Sequence, residues 1–360
     1  MCRTTFNLKK YLPLFLLSGC LVLGGCEQTA KQYDYSIFAF GTLIDISLYD
    51  VNKQQADETF NLLQQNFDLY HQRWSPWTDG DLAHLNKLIA NTKPGADTAI
   101  NVPSHLIPVL KRSILLSEKS NHYYNPAIGQ LINLWQFHQH KNVDIKPPDA
   151  TQIQALLEKK PKMSDLSFNQ QNQLISNNPA VSLNFGAFAK GYAIALEIEK
   201  LKQQGIHHAV INAGGDLSVI GQHGDRAWNI GIRHPRNENM LASIELKDNE
   251  SVFTSGDYER LYYYKNKRYH HILDPTTGYP AQGAQSVTVI HSNAGLADAA
   301  ATALFVAGSK NWQKTAKSMG IELVLLIDAG GNIRLTEKML ARIKFLNKSP
   351  TSHIFVSEEL

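Results

Sequence analysis

Apolar and polar positions change their period several times along this chain, and each change predicts an element. Tyr35 to Tyr49 alternates apolar with polar residues as a strand does, with Gly41-Thr42 interrupting it where a backbone could meet a ligand. Phe60, Leu63, Phe67 and Tyr70 recur at helical spacing and end in the aromatic loop Trp74-Ser75-Pro76-Trp77. Ile107 to Leu116 predicts another helix, Tyr123-Tyr124-Asn125-Pro126 a turn, and Ile128 to Trp135 an apolar run behind it. The polar stretch 138–179 reads as a peripheral excursion with one short helix rather than a domain boundary. From Val181 the pattern becomes strand (Val181 to Phe185), turn (Gly186-Ala187) and helix (Ala189 to Leu201). Strands are then expected at Ala209–Asn212, Trp228–Ile232, Ala242–Leu246, Leu261–Tyr264, Arg268–Leu273 and Ser286–His291. A helix capped by Asn293 and a last strand at Glu322–Asp328 complete the order. No repeat of fixed period is visible, so the expected fold is mixed α/β (α+β), one large domain with mostly antiparallel strands and packed helices.

The N-terminal segment stands apart from that pattern. Arg3, Lys9 and Lys10 precede an apolar run, Tyr11 to Leu23, that is too short for a spanning helix and closes on Leu23-Gly24-Gly25-Cys26. Small residues before a cysteine resemble the lipobox of bacterial lipoproteins, the alternative being an ordinary signal peptide with an incidental cysteine. The expected organisation is a signal peptide over 1–25, lipidation at Cys26, a tether over 26–34, the folded domain over 35–345 and a tail over 346–360. Cys2 and Cys20 would leave with the signal, so disulfide and thiolate-metal chemistry are excluded. A hydrophobic content of 43% supports a substantial core, and a net charge of +3 without a basic block argues against nucleic acid as a partner.

Candidate chemistry concentrates in a few short stretches. Ala297-Asp298-Ala299-Ala300-Ala301-Thr302 places an acid and a hydroxyl one helical turn apart, among alanines that let another backbone come close. Such oxygens suit Mg²⁺, and a buried alanine helix with a polar seam is the alternative. Phe40-Gly41-Thr42, Asn184 to Gly191, Ala213-Gly214-Gly215-Asp216 and Thr254 to Tyr258 each set a small residue beside a polar group at a strand end, as a phosphate or metal site requires. In Arg268 to Gly278, His271 is a possible general base, and the Asp274 carboxylate in its turn could orient a neighbour.

These stretches, in this order, resemble the ApbE family of FAD:protein FMN transferases. The likeness runs from Phe40 to about Gly308 and includes Asn125-Pro126 through Leu134-Trp135, Gly186 to Gly191, Gly214-Gly215-Asp216, Ser255 to Tyr258, His271 to Gly278, Ser286 to Val289 and Ala297 to Thr302. The resemblance implies a domain of the ApbE, T-fold-like type. It also implies Mg²⁺-dependent transfer of FMN from FAD to a Thr or Ser hydroxyl of an acceptor protein, with release of AMP. By the same resemblance Asp298, Thr302 and the carbonyl of Ala187 hold the ion, and His271 is the base. Phe40, Trp77, Tyr123, Tyr124, Asn125, Asn184, Lys190 and Ile272 would contact FAD. Asn125 and Asn184 stand where many relatives have Asp, and Ala301 where some have a second acid. Hydrolysis of FAD to FMN and AMP, and FAD binding without turnover, are the alternatives. The implied acceptor is a respiratory or redox-pump subunit, met at the periplasmic face of a bacterial membrane, with the inner membrane favoured for the lipid anchor.

Overall fold

The first alternating run folds as a hairpin of two strands, Gln32–Ala39 and Thr42–Tyr49, rather than as one strand. Phe40 and Gly41 make the turn with φ of 53° and 74°, the left-handed pair that a two-residue connection between twisted strands requires. The structure is a computed structural model that describes residues 31–93, 98–137, 145–346 and 353–357. The signal segment, Cys26 and most of the expected tether lie outside the described residues.

The hairpin begins a nine-stranded sheet. It continues through His208–Ala213, Asp216–Ile220, Ser251–Gly256, Ala284–His291, Leu323–Asp328, Ile333–Thr336 and Ile354–Ser357, in that spatial order. All neighbours are antiparallel except the last pair, which is parallel. Both faces are covered, so alternate side chains enter different cores. Along Leu323–Asp328, Val324 and Leu326 meet the helices Lys53–Trp74, Ala189–Gln203 and Ala294–Met319, while Leu325 and Ile327 meet a three-stranded sheet made of Trp228–Arg233, Met240–Leu246 and Ile343–Phe345. This explains strands that read as continuous apolar runs.

The helix Ala294–Met319 starts as expected, with the Asn293 side chain accepting the Leu296 N–H at 2.8 Å. Its alanines at 297, 299, 300, 301 and 303 are buried, which lets the helix Ala189–Gln203 pack directly on it. That second helix is tied to Lys53–Trp74 by Glu197, whose fully buried carboxylate accepts from Tyr70 Oη at 2.7 Å and Asn66 Nδ2 at 2.9 Å.

Several expectations are corrected. Val181 to Phe185 is buried but is not a strand; its backbone is satisfied by the segment before Gly129, as in Asn184 N–H to Pro126 at 2.9 Å and Ser182 N–H to Ala127 at 3.0 Å. The 138–179 excursion carries the expected helix, Ala150–Leu157, but also strands Leu166–Phe168 and Leu174–Ser176, which pair with Ala99–Ile100 in a separate three-stranded sheet. Asp81–Ala90 is a helix and Ser251–Gly256 a central strand, neither expected, and three strands follow Asp328. Among the described residues no helix is long and apolar enough to cross a membrane.

Candidate active site

The site grows from the ends of three sheet strands and the start of one helix. Gly214 and Gly215, with φ of 68° and 102°, turn the chain between paired Ala213 and Asp216. A Cβ on Gly214 would stand 2.5 Å from Thr42 Oγ1, so the glycine lets this turn lie against the first hairpin. The turn delivers Asp216, which is buried. Its Oδ1 accepts the Thr254 N–H at 2.8 Å, and its Oδ2 pairs with the Lys190 ammonium.

Lys190 is the second residue of its helix, and Gly191 follows it. The Gly191 N–H donates to Asp298 Oδ2 at 2.8 Å. Gly191 is the third residue of the helix, so its N–H is one of the amides that a helix start leaves unpaired, and Asp298 caps it; the Ala187 carbonyl, just outside the helix, accepts no hydrogen bond among the described residues. One turn beyond Asp298, Thr302 Oγ1 lies 3.0 Å from Ser255 Oγ. Burial raises the Asp298 carboxyl above its usual range, Lys190 opposes this, and Asp216 adds to it. For Lys190, burial works against the charge, but Asp216 and Asp298 outweigh it and push the ammonium up to about 12. Two buried carboxylates and one partly buried cation therefore interact here.

The donor set offered to an ion is all oxygen. Asp298 has one N–H partner among the described residues, the Ala187 carbonyl accepts no hydrogen bond among them, and Thr302 presents a hydroxyl. No group of three or more His, Cys, Asp or Glu side chains suited to a metal occurs among the described residues. The set fits a hard cation such as Mg²⁺ that takes further oxygens from its substrate, and it does not fit a soft one.

Beyond this centre, Asp257 is clamped by Arg236 at 2.7 Å and Arg268 at 2.9 Å, which fixes the turn between Ser251–Gly256 and the hairpin Leu261–His270. That turn carries Arg260, whose carbonyl accepts the His271 N–H at 3.1 Å. The His271 Nδ1 is buried with no hydrogen-bond partner, and burial first, then Arg260, hold the ring down at about 3. The ring is therefore neutral near neutral pH.

The remaining expected contacts divide. Tyr123 and Asn125 line a cleft of about 430 Å³ with Ile128, Leu157, Lys160 and Thr276. Asn125 is braced there by Pro161 at 3.0 Å and the Ala127 N–H at 3.1 Å. Asn184 is buried, accepts the Gly186 N–H at 2.9 Å and leaves Nδ2 without a partner. Phe40 sits in the hairpin turn, its N–H 3.2 Å from His71 Nδ1, and Trp77 is 46% exposed with Nε1 on Asn133 Oδ1 at 2.8 Å. Two side chains are core instead. Tyr124 is buried with its hydroxyl on Ser113 at 3.3 Å, and Ile272 is buried with its carbonyl taken by the Ala281 N–H. Asp274 does not orient a neighbour; its carboxylate accepts the Thr276 N–H at 2.8 Å and caps its own turn. Asp216, Ser255 and Arg260 had no assigned role in the sequence. Asp216 alone carried a signal, an acid directly after two glycines at a strand end.

A family model described as the ApbE family matches residues 40–325, which takes in every element of this centre. The chain belongs to the ApbE family. An FAD:protein FMN transferase of Rhodobacter capsulatus is 36% identical over 338 residues, 92% of this chain, and this chain spans 62% of that relative's length. One from Treponema pallidum is 28% identical over 90% of this chain and 93% of its own. The crystal structure of the ApbE protein of Thermotoga maritima superposes with a TM-score of 0.76 at 29% identity, covering 86% of this chain and 99% of that one. The ApbE fold thus holds from the first hairpin to the strand Leu323–Asp328.

Proposed function

We propose that the protein transfers FMN from FAD to a Thr or Ser hydroxyl of an acceptor protein, with Mg²⁺, and releases AMP. The observation that carries this reading is the Gly191 N–H given to Asp298, which orients a buried carboxylate at the start of the helix that follows Ala187. The names shared by the relatives support the transfer itself. In the reaction the acceptor oxygen forms a bond to the FMN phosphorus, the bond from that phosphorus to the bridging oxygen breaks, and the acceptor proton leaves. A cation held by Asp298, Thr302 and the Ala187 carbonyl would neutralise charge on the diphosphate. Lys190 stays charged beside Asp216 and keeps an ammonium donor fixed in the same centre. His271 takes the hydroxyl proton, with the Asn125 cleft holding part of the dinucleotide.

The reading also places the protein on the periplasmic face of a membrane, lipidated at Cys26, with a respiratory or redox-pump subunit as acceptor. Mass spectrometry of the mature N-terminus tests the anchor. Purified protein, FAD and Mg²⁺, incubated with and without an acceptor domain, tests the chemistry. Flavin fluorescence retained by denatured acceptor supports transfer. FMN and AMP formed equally without acceptor would replace transfer by hydrolysis, and recovery of intact FAD would replace it by storage.

A further inference from the structure

Arginines in this protein are mostly committed to partners. Arg236 and Arg268 spend their forks on Asp257, Arg334 meets Asp328, Arg342 meets Glu250, and Arg233 lies over the Tyr258 ring. Among the described residues Arg73, Arg112 and Arg260 are the exceptions, with no hydrogen-bond, ion-pair or ring partner, and Arg260 stands on the turn that Asp257 immobilises. Its position is fixed from two sides. The backbone carbonyl is held by the His271 N–H, and one terminal nitrogen would lie 3.4 Å from a Cβ on Gly41, so the fork rests against the tip of the first hairpin.

We propose that Arg260 is a substrate-binding residue that grips the phosphate oxygens of the dinucleotide at the mouth of the site. Charge bookkeeping favours this role over a structural one. The Lys190 ammonium is already matched by Asp216 and faces Asp298, so it adds little net positive charge for an incoming dianion. Glu259, next to Arg260, forms no ion pair with it, and burial keeps that carboxyl above its usual range. Arg260 is thus a cation without an ion-pair partner beside the same centre, and its field reaches Lys190, Glu259 and His271. A planar fork with free donors matches two oxygens of one phosphate, a geometry that a lysine cannot reproduce. Its exposure means that no desolvation of a buried charge is needed before the ligand arrives.

The assignment rests on the proposed dinucleotide chemistry, and the test separates the two. ADP and adenosine are titrated calorimetrically, with Mg²⁺ and again with EDTA, into the wild-type protein, Arg260→Gln and Arg260→Lys. Arg260→Gln should bind ADP about tenfold to a hundredfold more weakly in both buffers, as expected for loss of hydrogen bonds to a charged group. Adenosine affinity and thermal midpoint should not move, and Arg260→Lys should recover part of the loss. A wild-type preference for ADP that Arg260→Gln keeps in full overturns the assignment alone. A wild-type protein that binds ADP no better than adenosine overturns the transferase reading and the assignment with it.

Discussion

Replacing Gly191 by Ala sets two effects of opposite sign against each other. Gly191 lies inside a helix and its φ is not positive, so propensity alone predicts that alanine stabilises the protein by about 1 kcal/mol. The added Cβ, however, would stand 2.5 Å from the Ala294 carbonyl oxygen and 2.6 Å from Asp298 Cβ. Contacts between carbons are comfortable only from about 3.5 Å, so the two helices must part by roughly 1 Å. Overpacking of this kind costs about 1–3 kcal/mol, enough to cancel or reverse the propensity gain. The same displacement acts on the Gly191–Asp298 hydrogen bond and carries the carboxylate away from Thr302, and a misplacement of about 1 Å in a catalytic group costs on the order of a hundredfold in rate. Urea unfolding and steady-state flavin transfer, measured on one preparation, check both limbs. A variant that is more stable than wild type and transfers FMN at the wild-type rate would refute the close approach of these helices and the role of Asp298 together.

Other expected outcomes follow from the same geometry. Asp298→Asn keeps an acceptor for the Gly191 N–H but loses the charge, so cation-dependent transfer should fall at least about a hundredfold while the thermal midpoint changes little; a rate within a few-fold of wild type sinks the metal assignment. Because the folded protein holds His271 down at about 3, the unfolded chain takes up a proton first as the pH drops below the ordinary value of 6.5. The stability owed to this group is therefore complete above that value and lost progressively towards pH 3. His271→Gln should show a shallower acid loss in urea titrations between pH 7 and 4, and identical slopes would contradict the buried neutral ring. Glu197→Ala removes the carboxylate that Tyr70, Asn66 and Lys200 share, leaving the Tyr70 hydroxyl only Lys200, and should cost about 1–3 kcal/mol by chemical denaturation, with transfer unaffected below the unfolding transition.

Periodicity found the helices with long buried faces, as where Phe60, Leu63 and Phe67 recur over a 22-residue helix, but it missed the first turns of that helix, from Lys53, and the shorter helix Asp81–Ala90 altogether. It failed where backbone conformation decides. Nothing in the type of Phe40 announces a left-handed φ, so a hairpin looked like one strand with an interruption. Val181 to Phe185 is as apolar as a strand, yet its hydrogen bonds go to Pro126 and Ala127, a pairing that no local pattern encodes. The central strand Ser251–Gly256 was hidden because its last residues look like a turn motif. The candidate site divides along the same line. Asp298 and Thr302 share a helical face and could be read from spacing. The partners that give them meaning lie at Gly191, Asp216 and Ser255, and only the register of three strands and the packing of two helices bring them together.

The bond that aims Asp298 has a backbone N–H as its donor, and this bears on how the site withstands mutation. A side-chain donor at that place could be deleted by many single-base changes, whereas a main-chain amide survives every substitution except proline. A change at position 191 can therefore disturb the bond through bulk, as an added Cβ would, but cannot remove the donor unless it brings proline. Acids elsewhere in the centre are exposed to ordinary mutational loss, while the direction in which Asp298 points is inherited with the main chain itself.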